Sequence, residues 1–305
     1  MKPTDFSLNP GGYGVPTREE LIDHRIWDSH YHGFFGGGGV TQHFATMFYV
    51  ERMGIERVIA LDIAAGSGAR TRGSAQPFLI LDNQEREILE KDVASDSRVG
   101  RISGIIRINP TYPEDSCLKM EQWIRNGPCI GIKYSGGSNE GVTCSHPNND
   151  VIVRLGKELN AVIYVHTWIK VGGSPRYPGG GNNGTESTPM DVAILARRFP
   201  DVTIVCGHSG GDWELGARAI RSCENVYFEF AGSDPHSGEV DYAVNILGVD
   251  RIVWGGHGPS RSYATELSKV FDSNLNKADR MKVLGGNYRR LARAIFQKKG
   301  HPLAV

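Results

Sequence analysis

Eight short apolar runs recur along the chain, and a stretch with the periodicity of a helix follows each of them. The runs occupy residues 25–32, 57–63, 101–108, 129–134, 161–166, 202–206, 226–230 and 251–254. Strands that alternate with helices are typical of parallel βα units, and eight such units without a long linker predict a (β/α)8 barrel. We therefore expect an α/β fold of the TIM barrel type, in a single domain over residues 1–305.

The helices and the chain ends complete this prediction. Helices are predicted over residues 43–53, 79–94, 114–125, 148–159, 188–199, 213–221, 240–247, 263–271 and 288–296. Residues 1–25 are predicted as an N-terminal extension and residues 277–305 as a C-terminal helical segment. The glycine-rich loop 167–188 is either a lid or a plain surface excursion.

An open, doubly wound sheet is the alternative fold. Such a sheet usually carries a Gly-x-Gly-x-x-Gly fingerprint after its first strand. Residues 36–39 are a plain glycine tract that does not match it, so the sequence predicts no dinucleotide site.

Charge and composition limit the kinds of partner. The chain carries 34 basic and 34 acidic side chains, which argues against a nucleic-acid or membrane partner. No run reaches the ~18 apolar residues of a membrane-spanning helix, and residues 1–25 lack the form of a signal peptide. Five widely spaced cysteines favour reduced thiols. We expect a cytoplasmic protein with a small-molecule substrate, whose surface aromatic residues would permit a homo-oligomer.

Two histidines stand at the end of the first predicted strand. Asp28, His30 and His32 alternate along it, and alternate side chains of a strand project to one face. Two neighbouring imidazoles can share a metal ion, although two ligands make only half a site. The alternative is a pair of solvated histidines in a polar loop.

Three further histidines follow the ends of other strands. His166 ends strand five, His208 leaves strand six and His257 leaves strand eight. In a (β/α)8 barrel the C-terminal ends of the strands meet at one mouth, so the imidazoles should converge there. The sequence therefore predicts a metal site at the mouth, with histidines satisfied separately in the core or in loops as the alternative.

Three charged residues are candidates for substrate contact. Lys133 ends strand four, where it would hold a substrate carboxylate or form a structural ion pair. Glu229 lies in an aromatic-rich strand whose alternation turns it inward, either toward a substrate or behind a metal ligand. Arg261 would meet an anionic substrate if it is not simply a surface charge.

Several motifs follow one another in a characteristic order. They are Trp27-Asp28-Ser29-His30-Tyr31-His32, Val165-His166, FPDVTIVCGHSGG at 199–211, NVYFE at 225–229 and GNYRRL at 286–291. Together they resemble the amidohydrolase superfamily, and in particular the amidohydrolase 2 branch that includes aminocarboxymuconate-semialdehyde decarboxylase-like enzymes. The resemblance covers nearly the whole chain.

The resemblance implies a role for each histidine of the mouth. It implies that His30, His32 and His166 hold a divalent metal ion, zinc first, with manganese, iron or nickel as alternatives. It implies that His208 is the charged or proton-transferring partner beside the substrate. In binuclear relatives a strand-four side chain bridges two ions, which adds a third alternative for Lys133.

The turn after strand eight departs from the family. The family places an aspartate there, in a Gly-Ser/Thr-Asp-x-Pro turn, whereas this chain has Gly255-Gly256-His257-Gly258-Pro259. The usual aspartate contacts the metal and takes a proton from bound water. His257 is therefore expected to accept that proton or to serve as a fourth ligand.

These residues predict a metal-dependent hydrolase. An ion held by three neutral imidazoles keeps its positive charge and lowers the pKa of bound water to about 7 in the best-known zinc case. Such water would attack an ester, lactone or amide carbonyl. The alternatives are a metal-dependent lyase, either a decarboxylase or a hydratase of a carboxylated substrate, and a non-catalytic ligand-binding relative that lost its aspartate.

Overall fold

Eight strands pair side by side in chain order. A computed structural model describes residues 16–34, 39–64, 76–92, 97–135, 140–169, 182, 184–232 and 237–303. The strands are β1 (Trp27–Tyr31), β2 (Arg57–Ile63), β3 (Arg101–Arg107), β4 (Gly131–Tyr134), β5 (Val162–His166), β6 (Ile204–Gly207), β7 (Val226–Glu229) and β8 (Ile252–Val253). All neighbouring pairs from β1–β2 to β7–β8 are parallel.

The last strand closes onto the first. Ser29 in β1 donates hydrogen bonds from its backbone N–H (3.3 Å) and its hydroxyl (2.8 Å) to the carbonyl oxygen of Trp254. Because Trp254 follows β8 directly, these bonds join the two edges of the sheet into a nearly closed barrel. The predicted (β/α)8 architecture is confirmed.

Helices connect and surround the strands. They are α1 (Arg18–Asp23), α2 (Gly39–Arg52), α3 (Gln76–Asp92), α4 (Pro113–Met120), α5 (Asn149–Leu159), α6 (Pro189–Arg198), α7 (Trp213–Ile220), α8 (Glu239–Leu247), α9 (Tyr263–Phe271), α10 (Lys277–Met281) and α11 (Asn287–Lys298). Strands β1, β2, β4 and β6 are buried at every position, as parallel strands covered on both faces must be.

Helices lie near both chain ends. Helix α1 lies within the predicted N-terminal extension and begins at a capping box formed by Thr17 and Glu20. In α11, the Asn287 amide donates to the carbonyl oxygens of Val249 (2.8 Å) and Ile252 (2.7 Å), which fixes the approach to β8.

Parts of the sequence prediction lie outside the described residues. They include residues 1–15 of the predicted N-terminal extension, residues 36–38 of the glycine tract, residues 93–94 of the predicted helix 79–94, and most of the loop 167–188 that is predicted as a lid or a surface excursion. Among the helices that the structure describes, none is both long and apolar enough to cross a membrane.

Candidate metal centre

Five imidazoles meet at the C-terminal mouth of the barrel. We call His30, His32, His166, His208 and His257 the histidine cluster. The ring of His30 has its centroid 4.4 Å from that of His257 and 4.6 Å from that of His208. The ring of His166 lies 4.5 Å from His208, and the ring of His32 lies 4.9 Å from His257. The strand ends thus bring the rings together, as the barrel predicts.

His30 in β1 and His32 directly after it are oriented alike, with Nε2 toward the other ring and Nδ1 toward a carboxylate. Nε2 of His30 lies 2.8 Å from Nε2 of His32. Nδ1 of His30 lies 3.4 Å from Glu229 Oε2, and Nδ1 of His32 lies 3.4 Å from Asp62 Oδ2. A carboxylate favours a proton on the ring nitrogen beside it, so these contacts favour the tautomer with the proton on Nδ1 and the lone pair on Nε2.

A hydroxyl between His30 and Glu229 fixes this tautomer. The Tyr164 hydroxyl donates to Glu229 Oε2 (2.8 Å), and His30 Nδ1 lies 2.6 Å from the same hydroxyl oxygen. The hydroxyl has a single proton, so Nδ1 is the donor in the second bond. Glu229 also accepts from the backbone N–H groups of His208 (2.8 Å) and Ala231 (2.9 Å), which holds its carboxylate in place.

His208 and His257 are oriented in a similar way. Nδ1 of His208 bonds to the carbonyl oxygen of Ala231, which can only accept. Nδ1 of His257 bonds to the Ser260 hydroxyl, whose proton is directed to the carbonyl oxygen of His257 (3.0 Å). Both rings therefore keep a lone pair on Nε2. The ligand nitrogens of His30, His208 and His257 all lie within 4.8 Å of one another.

The backbone at the mouth adopts conformations that L-residues rarely hold. Asp62, His208 and His257 have φ values of +62°, +59° and +51°. Such positions are unfavourable for residues other than glycine, and they are concentrated at functional sites. Gly232, with φ of +73°, lies against the ring of His257, and a Cβ at this position would collide with the ring.

Burial is the main influence on the pKa values of the cluster. It lowers the pKa of His30 and His208 well below the ordinary value, and it lowers that of His166 and His257 to about 3. The positive charge of Lys133 lowers each of these pKa values further. The rings are therefore neutral at pH 7, which is the form that binds metal ions.

The donor set fits a divalent metal ion. With both protons on Nδ1, the Nε2 lone pairs of His30 and His32 face each other at 2.8 Å, and a cation between them removes their repulsion. A proton in that position would turn one ring into an imidazolium, and burial lowers the pKa of both His30 and His32. Neutral imidazoles with carboxylates behind their N–H groups are the usual ligand arrangement of zinc sites.

Lys133 and Asp62 form an ion pair at the edge of the cluster. Lys133 Nζ lies 2.9 Å from Asp62 Oδ2, and the two residues are 3% and 7% exposed. Burial would raise the pKa of Asp62, but the charge of Lys133 and the contact with His32 outweigh it and hold that pKa well below its ordinary range. The structural ion pair that the sequence allowed for Lys133 is therefore present.

Glu229 and Arg261, the other two candidates for substrate contact, differ in burial. Glu229 is completely buried behind His30, and burial raises its pKa to about 7 against the hydrogen bonds from His208 and Tyr164. Arg261 is exposed and donates from Nε (3.3 Å) and Nη2 (3.2 Å) to the carbonyl oxygen of Gly232.

A cavity gives access to the cluster. It has a volume of about 400 Å³ and is lined by His32, Gln42, His257, Pro259 and Ser260. A neighbouring groove of about 670 Å³ shares Gln42, Pro259 and Ser260 with it and contains Arg261. Arg261 therefore lies beside the entrance and His257 lies in it.

Two residues of the centre are absent from the sequence prediction. Asp62 is an acid near the end of the apolar run 57–63, and Tyr164 precedes His166 by two positions on the same face of β5. Both signals were available, but the partners of these residues come from distant parts of the chain.

Asp28 ties the first strand to the turn after the last strand. Its Oδ1 accepts from the N–H groups of His30 (2.8 Å) and Gly256 (2.6 Å), and its Oδ2 accepts from the Tyr263 hydroxyl (3.0 Å). Gly256 is adjacent to His257, so Asp28 fixes two members of the cluster relative to each other.

A profile of the amidohydrolase family matches residues 70–293, which is more than half of the chain. The chain belongs to the amidohydrolase family. The resemblance noted in the sequence is confirmed, although the matched range begins after β1 and so does not include His30 and His32. No curated protein sequence matches the chain.

Solved structures of the amidohydrolase type share the fold. A 2,6-dihydroxybenzoate decarboxylase from Rhizobium is 14% identical, with a TM-score of 0.62 over 88% of this chain and 98% of that chain. A 5-carboxyvanillate decarboxylase from Novosphingobium aromaticivorans, complexed with manganese, is 16% identical, with a TM-score of 0.59 over 82% and 79%. A probable 2-pyrone-4,6-dicarboxylic acid hydrolase from Acinetobacter baumannii is 12% identical, with a TM-score of 0.56 over 88% and 99%. At these identities the likeness shows the fold alone.

Proposed function

We propose that this protein is a metal-dependent enzyme whose divalent ion is held by the histidine cluster. One observation carries the proposal: His30 and His32 direct their Nε2 atoms at each other while a carboxylate lies behind each Nδ1. Manganese in the similar decarboxylase structures supports it. Zinc and manganese are the ions to test first, followed by iron and nickel.

The ligand set has two arrangements that the experiment must separate. Following the family resemblance, we assign His30, His32 and His166 as ligands, with His208 and His257 transferring protons. In the second arrangement His30, His208 and His257 are the ligands, and the closeness of their ring nitrogens supports it. In the first, His166→Asn loses the ion and His257→Asn retains it. In the second, His257→Asn loses the ion and His166→Asn retains it. The metal content of each dialysed variant decides between them.

The side chains of the mouth define what the site can do. A divalent ion supplies a Lewis acid that polarises a carbonyl or carboxylate oxygen. His208 and His257 keep an unprotonated Nε2 at pH 7 and can accept a proton from a bound molecule. We assign Lys133 to a substrate carboxylate and Arg261 to the attraction of anions at the entrance. Glu229, being fully buried, is assigned to orient His30.

Two reaction classes follow from this arrangement. Hydrolysis of an ester, lactone or amide of a small molecule is our first assignment. Decarboxylation or hydration of a carboxylated substrate is the second, and the decarboxylases among the similar structures favour it. The buried ammonium of Lys133 beside the cluster also favours a carboxylated substrate, because a nearby cation stabilises a bound carboxylate.

The reaction is tested on a panel of lactones, esters and aromatic carboxylic acids. Metal-free protein is compared with protein reloaded with zinc or manganese, and both released acid and released carbon dioxide are measured. We expect turnover in the reloaded protein alone. Released acid without gas identifies a hydrolase, and carbon dioxide identifies a decarboxylase. Reloaded protein that binds members of the panel tightly without turning them over contradicts the proposal.

The cysteines and the exposed aromatic residues bear on the cellular location and the assembly of the protein. We place it in the cytoplasm, with support from the five free cysteines. Phe44 and Phe48 of α2 are 62% and 63% exposed, which is compatible with a homo-oligomer.

A further inference from the structure

We propose that Asp62 is a positioning residue of the metal centre, whose carboxylate orients the ring of His32 and is itself held by Lys133. The inference rests on the proposed function, because the ring is oriented toward an ion. It adds a residue that the sequence motifs do not include and places a carboxylate on β2 in the machinery of the site.

The contacts of the carboxylate support this role. Its Oδ2 lies 3.4 Å from His32 Nδ1 and 2.9 Å from Lys133 Nζ. The ammonium can only donate, so the carboxylate keeps its capacity to accept, and its contact with Nδ1 favours the His32 tautomer with the proton on that nitrogen. The proton is then on Nδ1, and Nε2 is left to face His30. Asp62 Oδ1 is buried and accepts no hydrogen bond from any residue that the structure describes.

The backbone is distorted at the same position. Asp62 has φ of +62° and Ala64 has φ of +54°, and the pairing register between β2 and β3 shifts between Ala60 and Ile63. Residues other than glycine hold such conformations at a cost of roughly 1–3 kcal/mol each, and irregular strand ends beside active sites often redirect a side chain. The distortion places the Asp62 side chain beside His32.

His30 has a carboxylate neighbour like that of His32. The carboxylate of Glu229 lies behind Nδ1 of His30 at 3.4 Å, the same distance that separates Asp62 from Nδ1 of His32. His30 and His32 thus each have their own carboxylate, one from β7 and one from β2. Carboxylates in this position fix the tautomer and orientation of a metal-binding histidine. Removing them typically weakens metal binding roughly 10- to 100-fold.

A simpler role for Asp62, neutralising the charge of Lys133, makes a different prediction. If the carboxylate only neutralised Lys133, then Asp62→Asn would weaken metal binding by leaving a bare ammonium beside the ion. Removing the ammonium as well would then restore affinity. If Asp62 orients His32, the double variant Asp62→Asn/Lys133→Met stays weak, because the ring still lacks its carboxylate. The double variant also avoids an unpaired buried charge, which helps it to fold.

The test measures zinc affinity by competition with a chromophoric chelator, and the visible absorption of the cobalt-loaded protein. We expect Asp62→Asn to lose about 10- to 100-fold in affinity with an altered cobalt spectrum, and the double variant to stay equally weak. Asp92→Asn is the matched control, since Asp92 is also a shielded aspartate in an ion pair, with Arg57 at 3.3 Å. It should bind zinc as the native protein does.

Three results would overturn parts of this account in separable ways. Native affinity in Asp62→Asn, or recovery in the double variant, overturns the positioning role and leaves the metal proposal intact. Failure of the native protein itself to bind zinc, manganese or cobalt overturns the proposed function, and with it the inference.

Discussion

At the scale of single residues, the chemistry of the centre depends on which ring nitrogen carries the proton. Hydrogen-bond acceptors lie at Nδ1 of His30, His32, His208 and His257, and so the Nε2 lone pairs converge. A ring free to exchange its tautomers would present a lone pair to the ion for only part of the time. The partners behind the rings therefore matter almost as much as the rings do.

The hydroxyl of Tyr164 gives a direct test of this point. Tyr164→Phe removes the acceptor of His30 Nδ1 and a donor to Glu229 while keeping the ring. We expect zinc affinity to fall roughly 10-fold or more and the free energy of unfolding of metal-free protein to fall by about 1–3 kcal/mol. Chelator competition and urea unfolding measure the two effects.

The matched control is another buried tyrosine. Tyr288 is 1% exposed, and its hydroxyl has no hydrogen-bond partner among the residues that the structure describes. Tyr288→Phe should leave zinc affinity unchanged and stability equal or slightly higher. Equal zinc affinity in the Tyr164 and Tyr288 variants would contradict the role of the hydroxyl.

The sequence predicts the cluster better than the groups behind it. His166, His208 and His257 could be placed at the mouth because His166 ends a predicted strand and the other two follow one. The pairing of Tyr164 with Glu229 could not, since 65 positions separate the two residues and alternation says only that each faces inward.

At the scale of elements, helix α8 contains a buried carboxylate that accepts no hydrogen bond from the described residues. Glu239 in its first turn is completely buried, and neither of its oxygens accepts a hydrogen bond from a residue that the structure describes. Burial raises its pKa from 4.5 to about 8. Because the folded pKa lies above the unfolded one, its contribution to stability is greatest below pH 4.5 and is lost as the pH rises through 8.

Glu239→Gln should therefore stabilise the protein at alkaline pH. We expect a gain of about 1–3 kcal/mol in the free energy of unfolding at pH 9, shrinking toward zero near pH 5. Urea unfolding across this range measures it. Glu214→Gln is the control, since Glu214 is an exposed acid in the first turn of α7. An equal effect of both substitutions, or a gain at pH 5 as large as at pH 9, would count against the explanation.

Element boundaries show where local sequence loses its predictive value. The helix predicted over 188–199 is present as α6 and begins at a capping box, with Thr188 N–H donating to Asp191 Oδ2 at 2.9 Å. Strand β8 is shorter than predicted, because the N–H of Trp254 bonds to the carbonyl oxygen of Val283 (3.1 Å). Within the predicted helix 114–125, the α-helix ends at Met120 and a π-helical turn, Glu121–Arg125, follows it. Caps are local signals, whereas these ends are decided by distant partners.

At the scale of the whole molecule, barrel closure creates the centre. Residues separated by more than two hundred positions, such as His30 and His257, meet because parallel strands end at one mouth. The fold and the place of the site therefore follow from eight strands and the histidines after them. The division of the cluster into ligands and proton carriers does not, because several arrangements of the rings satisfy the same sequence pattern.

The proposal that these imidazoles hold a divalent ion is tested by anomalous scattering from crystals grown with zinc or manganese. We expect a strong anomalous peak within bonding distance of Nε2 of both His30 and His32. A map from ion-soaked crystals with no peak at the barrel mouth, or with the bound ion on other residues, would contradict it.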